Sequence, residues 1–280
     1  MLAALACAMT TVGVAIGAGS GGLSYRSEST PVADGAQDGT PVKCPAGTHV
    51  AGGGVYITGI DTDIEVATSA PFYNGPDEGW TGYANNDSGA PQTVTTHAIC
   101  AKSGSYKYRS KSQPVPDGSQ VAVTVRCPDG TRAAGGGVYI EGTYTGFEVA
   151  TSAPFDGPDA DTKPDDGWSG SANNVAGVGA TAMSTDVICA TSGKYRYRSD
   201  LKPVADGSQV GLSVGCPDGA RAVAGGVAIS GSGDTGISVA TSAPSDGSDI
   251  DTKPDDGWTG YANNDSGMPQ TMSTEAICKG

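Results

Sequence analysis

Tyr108–Gly118 reads YRSKSQPVPDG, and the same pattern stands at Tyr25–Gly35 (YRSESTPVADG) and Tyr197–Gly207 (YRSDLKPVADG). The leading tyrosines are 83 positions apart (108 − 25) and then 89 (197 − 108). Self-similarity at so long a period marks a chain assembled from repeated supersecondary units, and it takes precedence over local patterns. Outward from the tyrosine, each copy reaches a cysteine in CPAG or CPDG (Cys44, Cys127, Cys216), then AGGGV or AGGV, then VATSAP at Val66, Val149 and Val239. A Gly-Trp pair ends at Trp80, Trp168 and Trp258, ANN follows, and the copy closes on a second cysteine, Cys100, Cys189 or Cys278. The chain therefore divides into a leading segment, 1–22, and three units, 23–104, 105–193 and 194–280.

Strand signals dominate each unit. QVAVTVRC puts Val121, Val123, Val125 and Cys127 on one face and Ala122, Thr124 and Arg126 on the other. Further short runs of this kind are bounded by Gly, Pro, Asp or Asn, and no window of a dozen residues has helical periodicity. This predicts an all-β protein: three tandem, small, disulfide-bridged sandwich or barrel-like domains of five to seven strands each. Each unit owns a cysteine pair, a tryptophan and the length to fold alone. That favours three separate domains over one pseudo-threefold fold such as a prism or trefoil. YKYR and YRYR read as strands, so neighbouring domains are expected to stack at a fixed angle.

Of the seven cysteines, Cys7 lies in the leading segment and the other six fall two per unit. Six cysteines allow fifteen pairings. Repeat symmetry selects Cys44–Cys100, Cys127–Cys189 and Cys216–Cys278, and an oxidising compartment follows. Residues 1–22 carry no charged side chain and read as a secretory signal peptide with cleavage near Ala18, leaving a mature chain without a membrane span. Acids outnumber bases 30 to 16, for a net charge of −14. That surface repels phosphate backbones and anionic membranes, which excludes nucleic acid as a partner.

The run Cys-Pro-x-Gly, GGG, Ser-x-Pro, Gly-Trp, Asn and closing Ile-Cys resembles a repeat of secreted and surface-exposed bacterial proteins, over residues 23–280. The resemblance implies an extracellular β-domain without enzymatic activity, and it brings no catalytic or binding residue to carry over.

The candidate sites come from residue chemistry. Trp80, Trp168 and Trp258 are either core anchors or platforms on which a sugar ring stacks. Tyr83 and Tyr261 accompany two of them, and Ser171 takes their place in the middle unit. Asn86, Asn174 and Asn264 either build turns or bond a ligand. The acidic loops offer candidate calcium oxygens at Asp156, Asp159, Asp161, Asp246, Asp249 and Asp251, although the first unit has a shorter loop and no spacing matches an EF-hand. His49 and His97 are the two histidines, and no Gly-x-Ser-x-Gly elbow accompanies them, so no catalytic residue is expected. AGGGV runs into a strand instead of a helix and is no phosphate loop. The expectation is a secreted, non-enzymatic protein with a structural or surface-interaction role and no cofactor beyond calcium. Its partner is an extracellular or cell-surface component. The alternatives are a polysaccharide-binding protein and a self-associating filament subunit.

Overall fold

The computed structural model describes residues 14–15, 22–74, 77–158, 161–231, 233–247 and 251–280. Cys7, the cleavage position near Ala18, Asp159 and Asp249 lie outside the described residues. Every regular element among the described residues is a strand. A two-residue strand, β1 (Val14–Ala15), lies beside β2. Unit one holds β2 (Leu23–Val32), β3 (Ala36–Lys43), β4 (His49–Ile57), β5 (Ile64–Asn74), β6 (Asp77–Asn86) and β7 (Gln92–Ala101). Unit two holds β8 (Tyr106–Val115), β9 (Ser119–Arg126), β10 (Arg132–Ile140), β11 (Phe147–Phe155), β12 (Gly167–Asn174) and β13 (Thr181–Ala190). Unit three holds β14 (Tyr195–Val204), β15 (Ser208–Gly215), β16 (Arg221–Ile229), β17 (Ile237–Ser245), β18 (Gly257–Asn264) and β19 (Gln270–Lys279).

All three units are wired alike. The first strand pairs with the sixth and the sixth with the third, giving an antiparallel ribbon, β2-β7-β4 in unit one. The second pairs with the fifth and the fifth with the fourth, giving β3-β6-β5. The two ribbons pack face to face, and Cys44–Cys100, Cys127–Cys189 and Cys216–Cys278 tie them together within their own units. Closing loops of 56 and 62 residues is worth about 4 kcal/mol apiece in chain entropy.

Each unit keeps the sandwich-like pairing expected of it, but the three do not stand apart, because their ribbons continue across the unit boundaries. β4 meets β17 at Val55 and Ser242, β10 meets β5 at Val138 and Ser69, and β16 meets β11 at Val227 and Ser152. Unit one thus joins unit three, unit two joins unit one, and unit three joins unit two. Three sheets result, each with three strands from one unit and three from another, β1 adding an edge to the first, and they close a pseudo-threefold ring.

The glycine run makes that closure sterically feasible. A Cβ on Gly54, Gly137 or Gly226 would fall 2.2 Å from a backbone oxygen of the neighbouring unit, at Ser242, Ser69 or Ser152. Only a residue without a side chain lets backbones approach so closely. At the axis, a Cβ on Gly52 would fall 2.0 Å from the Val223 oxygen, and unit three places Ala224 at the equivalent position. The axis therefore holds one methyl group where two glycines leave room for it.

VATSAP has an equally specific role. Thr241, Thr68 and Thr151 accept the backbone N–H of Ile57, Ile140 and Ile229 across the seams, at 3.2, 3.2 and 3.5 Å. The next residues, Ser69, Ser152 and Ser242, accept the indole N–H of Trp80, Trp168 and Trp258 at 2.9–3.0 Å.

Candidate functional site: an acidic mouth on the ring axis

One end of the ring carries the loops between third and fourth strands and the turns between fifth and sixth. The ANN motif fixes this end. Asn85 donates to the carbonyls of Thr145 and Phe147 at 2.6 and 2.9 Å. Asn173 donates to those of Thr235 and Ile237 at 3.3 and 2.7 Å, and Asn263 to those of Thr62 and Ile64 at 2.9 Å each. Each unit's first asparagine thus holds the next unit's loop, and the third unit's holds the first. Gln37, Gln120 and Gln209 support these asparagines from below, each donating to the side-chain oxygen at 3.0 Å.

The second asparagine works within its own unit. Asn86 donates to Val32 and Ala90, Asn174 to Val115 and Gly179, and Asn264 to Val204 and Met268, all at 2.8–3.0 Å. These three candidate ligand residues are buried with their amide N–H groups occupied by their own backbone.

β5, β11 and β17 pack against one another around the axis. Their equivalent second residues are Glu65, Glu148 and Ser238, and the turns beyond add Asp87, Val175 and Asp265. A cavity of about 390 Å³ opens here, lined by Asp63, Glu65, Asp87, Tyr144, Glu148 and Val175 among others. Burial, and then the charges of Glu148, Asp87, Asp63 and Asp265, push the Glu65 carboxyl up to about 10. Burial likewise raises Glu148 to about 7, against a 3.2 Å hydrogen bond from the Asn173 amide that favours its charged form. Burial and neighbouring acids also raise Asp63. Glu65 is only 8% exposed and accepts no hydrogen bond.

The opposite end pairs its charges. Lys43–Asp77, His49–Glu78, Lys163–Asp161, Arg221–Asp255 and Lys253–Asp251 all lie there. Within the acidic loops, Asp166 and Asp256 accept the backbone N–H of Gly157 and Gly247 at 2.6 and 2.7 Å. Of the candidate calcium ligands, Asp161 and Asp251 are engaged by Lys163 and Lys253. Among the described residues no three His, Cys, Asp or Glu side chains are grouped to hold a metal ion. Tyrosine hydroxyls seal this end between units: Tyr25 donates to the Ala222 carbonyl at 2.7 Å, Tyr108 to Val50 at 3.1 Å and Tyr197 to Ala133 at 2.6 Å.

The sugar-platform expectation for the indoles is corrected here. Trp80, Trp168 and Trp258 are 0–1% exposed, packed against Gly53, Gly136 and Gly225, and no ring face is open to a pyranose. Tyr83 and Tyr261 are half-buried on the sheet surface. Tyr83 lines a small groove with Thr68 and Tyr139 at a seam, whereas Tyr261 covers Gly211. Burial pushes the His97 imidazole down to about 4, and it raises the equivalent Asp186 and Glu275.

Glu65 and Glu148 escaped the sequence reading because alternation put them opposite Ile64, Val66, Phe147 and Val149, on a face that a lone sandwich would expose to solvent. Ring closure buries that face. The available signal was an acid directly ahead of VATS in two of three units.

No helix among the described residues is long and apolar enough to cross a membrane. No protein-family model matches the chain. No curated protein matches it either. Among solved structures, one described as the triple jelly roll fold and turret assembly in an archaeal virus aligns over 89% of this chain and 90% of its own, at 12% identity. The TM-score is 0.21, which carries no argument about fold or function.

Proposed function

We propose that this is a secreted, non-enzymatic interaction protein that docks onto an extracellular or cell-surface partner through the loop end of its ring. The observation that carries the reading is the distribution of exposed apolar side chains. Ile60, Tyr144, Val175, Val178 and Met268 are exposed on the loops and turns of that end, and they account for five of the eight large hydrophobics exposed among the described residues. Apolar groups gathered at one end around a charged cavity have the composition of a recognition surface. The opposite end, with its ion pairs and tyrosine seals, lacks that character.

Three disulfides support a fold that matures in an oxidising environment, and export through the leading segment is the route that fits it. The repeated polar residues do scaffold work, since threonines, serines and asparagines of the motifs are spent on backbone and indole hydrogen bonds. Interaction, not turnover, is what the remaining surface supports.

The test is a cell-pelleting assay with purified protein and the producing organism's own envelope. The combined substitution Ile60→Asp, Tyr144→Asp and Met268→Asp is expected to abolish association, whereas Leu201→Asp, on the exposed strand β14, leaves it intact. Equal binding by both variants would refute the assignment of the loop end.

A further inference from the structure

At the axial mouth, no base among the described residues answers Glu65 and Glu148, and only the Asn173 amide reaches Glu148. The charges acting on Glu65 come from Glu148, Asp87, Asp63 and Asp265, and those acting on Glu148 from Asp87 and Asp265. All are acidic, and they reach the pair from β5, β11, the loop before β5 and the turns after β6 and β18. A carboxyl 8% exposed in the wall of a cavity, with neither a base nor a hydrogen bond, is a strongly unfavourable arrangement for its charged form. Such a group takes up either a proton or a cation from outside.

The shape of the mouth selects among cations. Calcium takes six to eight oxygens at roughly 2.3–2.6 Å, and no described set of three acids is grouped for a metal. The cavity, at about 390 Å³, is also far roomier than a desolvated ion requires. Its rim is part apolar: Tyr144 and Val175 are 53% and 46% exposed. An ammonium on a methylene stem fits that combination, since the head needs a few acceptors in no fixed plane and the stem covers apolar wall. A guanidinium holds five N–H donors in one rigid plane, and a pair of carboxyls on different strands of different units answers the three freely turning donors of an ammonium more completely.

We propose that the mouth receives a lysine side chain of the binding partner, with Glu65 and Glu148 taking its Nζ ammonium and Tyr144 and Val175 flanking its stem. This rests on the loop-end reading above and names the chemistry that the loop end recognises. The ammonium replaces the proton that the Glu65 carboxyl carries, which leaves to solvent, so association releases protons and tightens as pH rises towards the pKa of lysine itself.

The experiment is calorimetric titration of the full chain with Nα-acetyl-lysine-N-methylamide at about pH 5 and about pH 8.5. Saturable binding is expected, at least about tenfold tighter at the higher pH. The side-chain-acetylated analogue is expected not to bind, and Glu65→Gln with Glu148→Gln to weaken binding by about tenfold or more. Asp265→Asn, at the rim, provides a milder variant, expected to weaken binding about two- to fivefold. Absence of saturable binding at about pH 8.5 would overturn the proposal. So would equal binding of the acetylated analogue, or unchanged binding in both variants. Calcium chloride that binds in its place and competes with the probe would overturn it in favour of a metal site. A chain that takes the probe but pellets with no cell envelope supports the lysine site and sinks the loop-end function. A chain that pellets through its loop end but ignores the probe does the reverse.

Discussion

The two ends of the ring are built from the same strands and the same repeated motifs, yet they handle charge in opposite ways. At the tyrosine-sealed end, acids meet bases: Asp255, almost fully buried, lies 2.6 Å from Arg221, and Glu78 takes both His49 and the Tyr108 hydroxyl. At the loop end, Asp63, Glu65, Asp87, Glu148 and Asp265 face one another with only more acid around them. Residues shared by all three units hold the ring together at both ends. Residues that differ between units, such as Glu65, Glu148 and Ser238, or Asp87, Val175 and Asp265, are what distinguish the mouth. Symmetry in this protein marks scaffold, and departures from it mark the surface with something to recognise.

The sharpest way to break the comparison is to break the ring that both ends share. Gly137→Val places a side chain against the Ser69 carbonyl and is expected to cost more than about 4 kcal/mol. All three units should then melt lower, together, in one calorimetric transition. A variant in which unit three keeps its own unchanged transition would dissolve the ring into separate bodies.

Next in size is Glu65→Gln. Folded Glu65 keeps its proton to about pH 10, whereas the unfolded side chain loses it near 4.5. Its contribution to stability is therefore complete below about pH 4.5 and drains away as pH rises towards 10. The glutamine should stabilise the protein by a few kcal/mol at pH 8, with the gain vanishing near pH 4. Denaturant titrations at the two pH values check this, and a gain equal at both would mean that the carboxyl is not buried acid.

Asn173→Ala removes the clamp on Thr235 and Ile237 at the mouth and should cost about 2 kcal/mol. Its counterpart at the sealed end, Tyr197→Phe, leaves one carbonyl at Ala133 unanswered and should cost about 1 kcal/mol. Chemical denaturation of the pair ranks the two ends as inter-unit clamps, and reversal of that order would move the principal clamp to the tyrosines. Smallest of all is Lys163→Met at the exposed Asp161 pair, for which melting temperature should not move.

Much of this fold was legible in the sequence. Alternation in QVAVTVRC marks β9, and repeat symmetry picks out the three disulfides among the fifteen pairings. Closure was not legible, for a physical reason. Gly54, Gly137 and Gly226 mark a seam only because of backbone oxygens in another unit, and a sequence read unit by unit holds no trace of what lies opposite a missing side chain. Thr68, Thr151 and Thr241 would look the same in a lone sandwich, where water would take the place of the neighbouring N–H groups. The indoles were ambiguous for a similar reason, since a Gly-Trp pair does not reveal that Ser69, Ser152 and Ser242 wait for the indole N–H. The mouth was the least legible part. Its acids come from all three units, Asp63, Glu65 and Asp87 from the first, Glu148 from the second and Asp265 from the third, and sit far apart in the sequence.

Closure also makes the order of the units along the chain conventional. Ala101 passes to Tyr106, and Ala190 to Tyr195, through four residues each. Lys279 and Leu23 occupy the corresponding positions on the one side that has no covalent link. A four-residue tether from Lys279 to Leu23, with the backbone opened at Gly104 or Gly193, yields a circular permutant with every hydrogen bond of the ring available. Such a rearranged gene product offers new termini at either of two other corners, so a fusion partner can be carried beside whichever unit an experiment requires.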